Sequence, residues 1–281
     1  MIKNKYQRPF RHATERVLNI LLLGGLVAGL SYRLGGMGRL QVVRYEVELA
    51  AGKRLARPLR IGFASDFHAG PTTHGALFDE LLAQLAREQP DVLLLGGDYV
   101  SFDAANVGGL KAFLAQARAP LGTYAVIGNH DVWNGRELVE AALREADVGV
   151  LVNRSIALPA PFGQVSICGI DDPWTGEPSA QDTFEGAQDV RVYLMHSPDG
   201  LWRLDRQHFD VGFAGHTHGG QIALQNGAPL FRPSGPVSRD YCYGRFDVPG
   251  NGPLLVSRGV GCAGIPLRLN ADPELLICTL Q

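Results

Sequence analysis

Five of the eight histidines in this chain fall just beyond short apolar runs, and acidic residues fall with them. Asp66 and His68 follow RIGFAS, and Asp98 follows DVLLLGG. Asn129, His130 and Asp131 follow TYAVIG, His196 ends VRVYLM, and His216 and His218 follow VGFAG. Each is ordinary alone. A strand-end Asp is a turn residue or helix cap, a lone His is a hydrogen-bonded core or surface group, and GHTHGG is a Gly-rich loop. Together, at strand ends, they describe a metal centre. Alternate residues leaving a strand point to one side, so Asp66-x-His68 can offer a carboxylate and an imidazole to one ion. His216-x-His218 offers two nitrogens to one ion, or serves two neighbouring ions if the loop turns. A mixed nitrogen and oxygen set suits manganese first, or iron or zinc, over the all-oxygen preference of magnesium and calcium. Seven candidate ligands exceed one tetrahedral site and fit two divalent ions sharing a carboxylate.

The elements that must carry these residues are legible as alternating patterns. Strands are expected at 41–49, 59–65, 91–97 and 123–128, with helices at 75–88, 105–117 and 136–146. In the first helix Leu77, Leu81, Leu82 and Leu85 form an apolar stripe. Strand-helix-strand order implies parallel pairing with helices outside. The second half is dense in Gly and Pro, with strands expected at 164–170, 190–196, 211–216, 220–224, 241–247, 253–259 and 274–280. That half reads as a second, partly antiparallel sheet. Open α/β sheets place ligands beyond the carboxyl ends of their strands, where the polar clusters lie.

The chain has 281 residues, 46% hydrophobic and 19% charged, which excludes a disordered chain. A single long apolar run excludes a polytopic membrane protein. Four cysteines without a CxxC spacing exclude a disulfide miniprotein and a zinc ribbon. Residues 1–40 hold seven basic residues and one acid, so they carry +6 and the remainder −8. An acidic body offers no nucleic-acid-binding surface. Val17 to Tyr32 is apolar and, as a helix at ~1.5 Å per residue, about 24 Å long. It reads as a single membrane anchor, with a cleaved signal peptide or a surface-lying helix as alternatives. The basic residues ahead of it place the amino terminus in the cytoplasm and the body on the outer, periplasmic side of the inner membrane. The domain reading is therefore a tail and anchor over 1–40 and a catalytic domain over 41–281.

Asp66-x-His68, Gly97-Asp98, Gly128-Asn129-His130-Asp131, His196 and Gly215-His216-x-His218 resemble, in order, the five blocks of the calcineurin-like metallophosphoesterases. GNHDVW, GHTHGGQ and the ending SRGVGCAGIPLRLNADPELLICTL look like the bacterial phosphodiesterase branch known as YaeI/YkuE. The resemblance implies an α/β fold, a four-layer α/β/β/α sandwich of two mixed sheets flanked by helices, preceded here by an amino-terminal apolar helix. It implies that Asp66, His68, Asp98 and His218 hold one ion, that Asp98 bridges, and that Asn129, His196 and His216 hold the second. Asp131 would orient His130 or its loop.

Two such cations clamp a phosphate and acidify a shared water for in-line attack on phosphorus. His130, next to Asn129 and outside both ligand sets, is the candidate catalytic proton donor to the leaving oxygen. The leaving group is not readable, and no substrate-binding residue is assigned. Asp171-Asp172-Pro173-Trp174 either overhangs the site or forms an Asp-Pro turn. Arg258 and Arg268 either grip a second phosphate or make surface salt bridges. The expected activity is a phosphodiesterase. The alternatives are hydrolysis of a lipid-linked pyrophosphate such as UDP-2,3-diacylglucosamine, and a non-catalytic metal-binding interaction module.

Overall fold

A computed structural model describes residues 23–231 and 235–281. The first sheet contains β1 (Gln41–Val47), β12 (Glu274–Leu280), β2 (Leu59–Ala64), β3 (Val92–Leu95), β4 (Thr123–Ala125) and β5 (Gly149–Val150), in that spatial order. The second contains β10 (Gly244–Asp247), β11 (Pro253–Val256), β9 (Val211–Ala214), β8 (Val190–Leu194), β7 (Val165–Gly169) and β6 (Arg154–Ala157). The β2-β3-β4-β5 run is parallel, as the alternation with helices predicts. β12 breaks it, antiparallel to β2 and parallel to β1, and β6 and β10 run antiparallel to their neighbours in the second sheet. Both sheets are therefore mixed.

Side-chain alternation sorts the core into layers. On β3, Val92 and Leu94 face the second sheet and pack with Ile61, Phe63, Val192 and Phe213. Leu93 and Leu95 face the other way, onto α2 (Ala76–Glu88), α3 (Lys111–Gln116) and α4 (Asn129–Glu145). The outer face of the second sheet is covered by Phe184 of α5 (Ala180–Phe184) with Leu204 and Phe209. This is the expected four-layer sandwich. Cys168, Cys262 and Cys278 are buried thiols within these layers.

Four expectations need correction. ELLICTL, read with the second-half sheet, is β12 in the interior of the first, between β1 and β2. It is apolar towards both faces, with Leu276 and Cys278 between the sheets and Leu275 and Ile277 on the helix side, as an interior strand requires. GQIAL at 220–224 forms only isolated bridges, because His218, Gly219, Gly220 and Gln221 are consecutively left-handed and cannot start a strand. The 105–117 helix begins as a 3-10 segment, Ala104–Leu110, and turns α-helical only at Lys111, past Gly108 and Gly109. The 136–146 helix starts earlier, at Asn129, with a break at Gly135. β5, β6 and α5 are too short to leave a periodic signal.

The first six residues of the Val17–Tyr32 run lie outside the described residues. Its remainder contributes to α1 (Leu26–Arg33), which lies against the body. Ala28 and Met37 join the helix-side core. Tyr32 stacks on His74 at 4.6 Å and donates its hydroxyl hydrogen to Glu80 at 2.6 Å. Among the described residues, no helix is long and apolar enough to cross a membrane.

Candidate metal centre

The seven candidate ligands and His130 converge at the carboxyl ends of β2, β3, β4, β8 and β9. Asp66, His68, Asp98 and His196 are buried, as are Asn129 and His218, while His130 and His216 are half-buried. The local cause differs from simple alternation along an extended chain. Asp66, His68, Asp98, His216 and His218 all have positive φ, between 45° and 69°. Each costs energy for a non-glycine residue, and their concentration here marks a site whose geometry the surrounding fold enforces. The turns need bare backbone beside them. A Cβ on Gly128 would lie 2.3 Å from Asp98 Oδ1, and one on Gly215 would lie 2.3 Å from Asp66 Oδ2.

Two groups of donor atoms result. In the first, His218 Nε2 is 3.0 Å from His68 Nε2 and 3.4 Å from Asp66 Oδ1. In the second, His196 Nε2 is 3.1 Å from Asn129 Oδ1 and 3.3 Å from His216 Nδ1. Asp98 Oδ2 stands between them, 3.6 Å from His68 Nε2 and 3.3 Å from His196 Nε2. His130 groups with His68 and Asp98, its ring at right angles to that of His68 with centroids 4.7 Å apart. Its backbone N–H donates to the other Asp98 oxygen at 2.8 Å.

The donor chemistry fits cations. His196 Nδ1 is 2.7 Å from the Gly96 carbonyl, which can only accept, so Nδ1 carries the hydrogen. Nε2 then turns a lone pair towards the oxygens of Asp98 and Asn129. Lone pairs facing lone pairs in a buried site repel unless a proton or a metal ion lies among them. Without metal the proton takes this place. Burial opposes the charge on His196, yet Asp98 and Asp66 raise its pKa to about 10. Burial pushes His68, His216 and His218 towards the neutral form. Burial and the neighbouring His130 lower His68 to about 3, and burial with His68 and Arg268 holds His218 well down. Asp66 is raised to about 6 by burial and by the Asp98 charge, although His196 pulls it down.

Asp131 acts on the loop. One oxygen accepts the N–H groups of Asp98 and Gly128, both at 2.9 Å, and the other accepts Tyr99 N–H at 2.8 Å. The carboxylate at the first turn of α4 thus pins the Asp98 loop to the helix. Asp172 makes the turn reading of its motif concrete: one oxygen accepts from Trp174 N, Thr175 N and the Thr175 hydroxyl. Arg268 is neither a surface ion-pair partner nor a phosphate grip. It is buried and donates to the carbonyls of Gly261, Ala271 and Arg258, with one nitrogen 3.2 Å from His218 Nδ1. Sequence reasoning missed this buried guanidinium behind a candidate ligand, because nothing in LRLNAD separates an inward arginine from an outward one. Arg258 lies over the Tyr243 ring at 3.9 Å.

The chain matches the family described as calcineurin-like phosphoesterase over residues 59–220, a span containing every residue of the cluster. It belongs to that family. It is 32% identical over 248 residues to the protein named phosphodiesterase YaeI of Escherichia coli, covering 86% of this chain and 89% of that one. It is 29% identical to an uncharacterized metallophosphoesterase of Aquifex aeolicus, covering 86% and 92%. Among solved structures, a 5'-nucleotidase precursor from Thermus thermophilus aligns with a TM-score of 0.48 and 16% identity, over 79% of this chain and 55% of that one. The protein is thus a metal-dependent phosphoesterase, a hydrolase with clustered His and Asp residues that could hold a metal ion.

Proposed function

We propose that this metallophosphoesterase hydrolyses phosphodiesters with two divalent ions, manganese first and iron or zinc as substitutes. Asp66, His68, Asp98 and His218 would hold one ion, and Asp98, Asn129, His196 and His216 the other. The position of Asp98 Oδ2 between the two donor groups carries this reading. The similarity to a protein named a phosphodiesterase supports the choice of ester. When bound, the ions supply Lewis-acid charge for the phosphoryl oxygens and a hydroxide nucleophile at neutral pH.

The chain's own residues do the rest. Asp131 fixes the loop that aims Asp98. The Gly96 carbonyl sets the tautomer of His196 and so keeps Nε2 directed inward. His130 is held by its N–H to Asp98 while its half-buried ring stays at the edge of the cluster, where it can donate a proton to the departing oxygen.

The test is turnover of bis-p-nitrophenyl phosphate by the manganese-loaded protein, with His130→Ala as the probe. Metal content should stay near two ions, and kcat should fall by ~10²–10⁴ for an alkyl leaving group. The fall should be smaller for p-nitrophenolate, which departs without a proton. Equal losses on both leaving groups would remove the proton-donor role. Failure of the wild-type protein to cleave any diester would remove the phosphodiesterase reading. A second reading, cleavage of a lipid-linked pyrophosphate, is favoured by the exposed Leu230 and Phe231 in the turn that follows His218. Membrane attachment through the amino-terminal stretch is part of the same proposal: Leu26–Arg33 packs against the body, so the stretch is read as lying on the membrane surface, held there by the basic residues among 1–40.

A further inference from the structure

Ten of the fourteen large apolar residues exposed among the described residues fall in three segments that touch one another. The first is α1 with the residues at its ends. Leu26, Leu30 and Leu34 follow helical spacing along one side, Leu23 precedes the break at Gly25 (φ 104°), and all four are 59–76% exposed while Ala28 is buried. The second is the strip 265–269. Its residues alternate, with Ile265, Leu267 and Leu269 outward and Pro266 and Arg268 buried. Three apolar side chains of this short strip are therefore open to solvent. The third is the turn after His218, where Leu224, Leu230 and Phe231 are each more than half exposed.

Contacts join the segments into one region. The Ser31 hydroxyl donates to the Pro266 carbonyl, and Arg268 N–H donates to Gly36 O at 2.7 Å. Ala223 N–H donates to Leu269 O at 2.8 Å, and Leu230 N–H to Ile222 O at 2.8 Å. The region also adjoins the metal centre. His218 leads directly into the third segment, and Arg268 of the second segment reaches His218 Nδ1 at 3.2 Å.

We propose that the folded body docks on an anionic lipid bilayer through this three-segment apolar region, which brings the His218 side of the metal centre against the membrane surface. The upstream sequence identifies the surface. The apolar sequence of α1 continues back through residues 17–22 and is preceded by Lys3, Lys5, Arg8, Arg11 and Arg16. Apolar side chains flanked by basic residues are the chemistry of an interfacial contact with acidic headgroups. The exposed Arg33 and Arg39 extend that charge to the far end of α1. The inference concerns docking and stands whichever ester is cleaved.

The test uses the full chain and vesicles of phosphatidylglycerol and phosphatidylethanolamine. The double variant Leu267→Asp/Leu269→Asp should weaken vesicle flotation by about tenfold or more per side chain, the order expected for losing a buried leucine. Its turnover of a soluble diester should be unchanged. Tryptophan probes from Leu230→Trp and Leu267→Trp, read as differences from the parent protein, should be quenched by brominated lipid. A probe from Leu138→Trp, on the exposed side of α4, should not be. Unaltered flotation of the double variant would overturn the proposal and assign all membrane contact to residues 1–22. Quenching at neither position 230 nor 267, or equally at 138, would also overturn it. A concentration-dependent dimer that the double variant abolishes, with no vesicle binding, would reassign the region to a second copy of the chain.

Discussion

Gly128→Ala tests the geometry of the metal centre with a single methyl group. Gly128 has φ −101° and ψ 172°, an extended conformation that alanine adopts without strain. The backbone therefore does not object, and only space is tested. The added Cβ would stand 2.3 Å from Asp98 Oδ1 and 2.4 Å from Asp98 N, where 3.4 Å begins ordinary contact. Both sides of the clash are constrained. Asp98 N–H is held by Asp131, and Asp98 Oδ1 by the N–H of His130. The carboxylate must move by roughly 1 Å, and a misplacement of that size costs on the order of 10²-fold in rate. Overpacking adds about 1–3 kcal/mol of lost stability. Metal content by elemental analysis, kcat on bis-p-nitrophenyl phosphate and a denaturant melt read the three effects separately. Gly75→Ala is the control, because it has φ −59° and nothing within 4 Å of its new methyl. A Gly128→Ala protein with wild-type metal content and kcat would refute the claim that Asp98 is clamped between β3 and α4.

Asp131→Asn should lower metal occupancy and thermal stability together. Whichever way the amide is turned, an NH2 group faces a backbone N–H that the carboxylate now accepts, at about 1–3 kcal/mol per buried donor left unpaired; an unchanged melt would remove its loop-pinning role. In the metal-free protein, His196 is raised from 6.5 to about 10. Its contribution to stability is then complete below pH 6.5 and is lost as pH rises through 10. Metal affinity should rise over the same window, since the ion displaces that proton, and calorimetry in buffers of different ionisation heat reads the proton release directly. Removing residues 1–22 should leave the melt nearly unchanged. Removing 1–39 should destabilise the body by a few kcal/mol, the scale of losing buried Ala28 and Met37. Equal melts for the two truncations would show that α1 contributes nothing to the core.

The sequence made the candidate metal residues visible because their chemistry and their order depend on type and spacing alone. The backbone that aims them was hidden. Nothing in SDFHAG announces that Asp66 and His68 are both left-handed, since that conformation is imposed by neighbouring turns and by the glycines that leave room for them. Strand and helix existence followed from apolar period wherever the elements were long, as in β2 and α2. Pairing did not follow. β12 reads as an apolar strand in either sheet, and its place between β1 and β2 is decided by two cores that exist only in three dimensions. Arg268 is the same problem at one residue: burial, not composition, sets its role.

The interior position of β12 has a consequence for how the chain is made. Among the described strands β12 is synthesised last, yet it joins β1 to the rest of the first sheet. Until it emerges, β1 has no partner, and the β2 edge and the apolar faces beneath it stay open. At about 5–20 residues per second, the gap between β2 and β12 lasts on the order of 10–45 s. The nascent enzyme is therefore a half-closed sheet that other chains, or chaperones, can reach. Loss of the last few residues of β12 should leave that state permanent, and so make the protein insoluble even though every metal-binding residue has been translated.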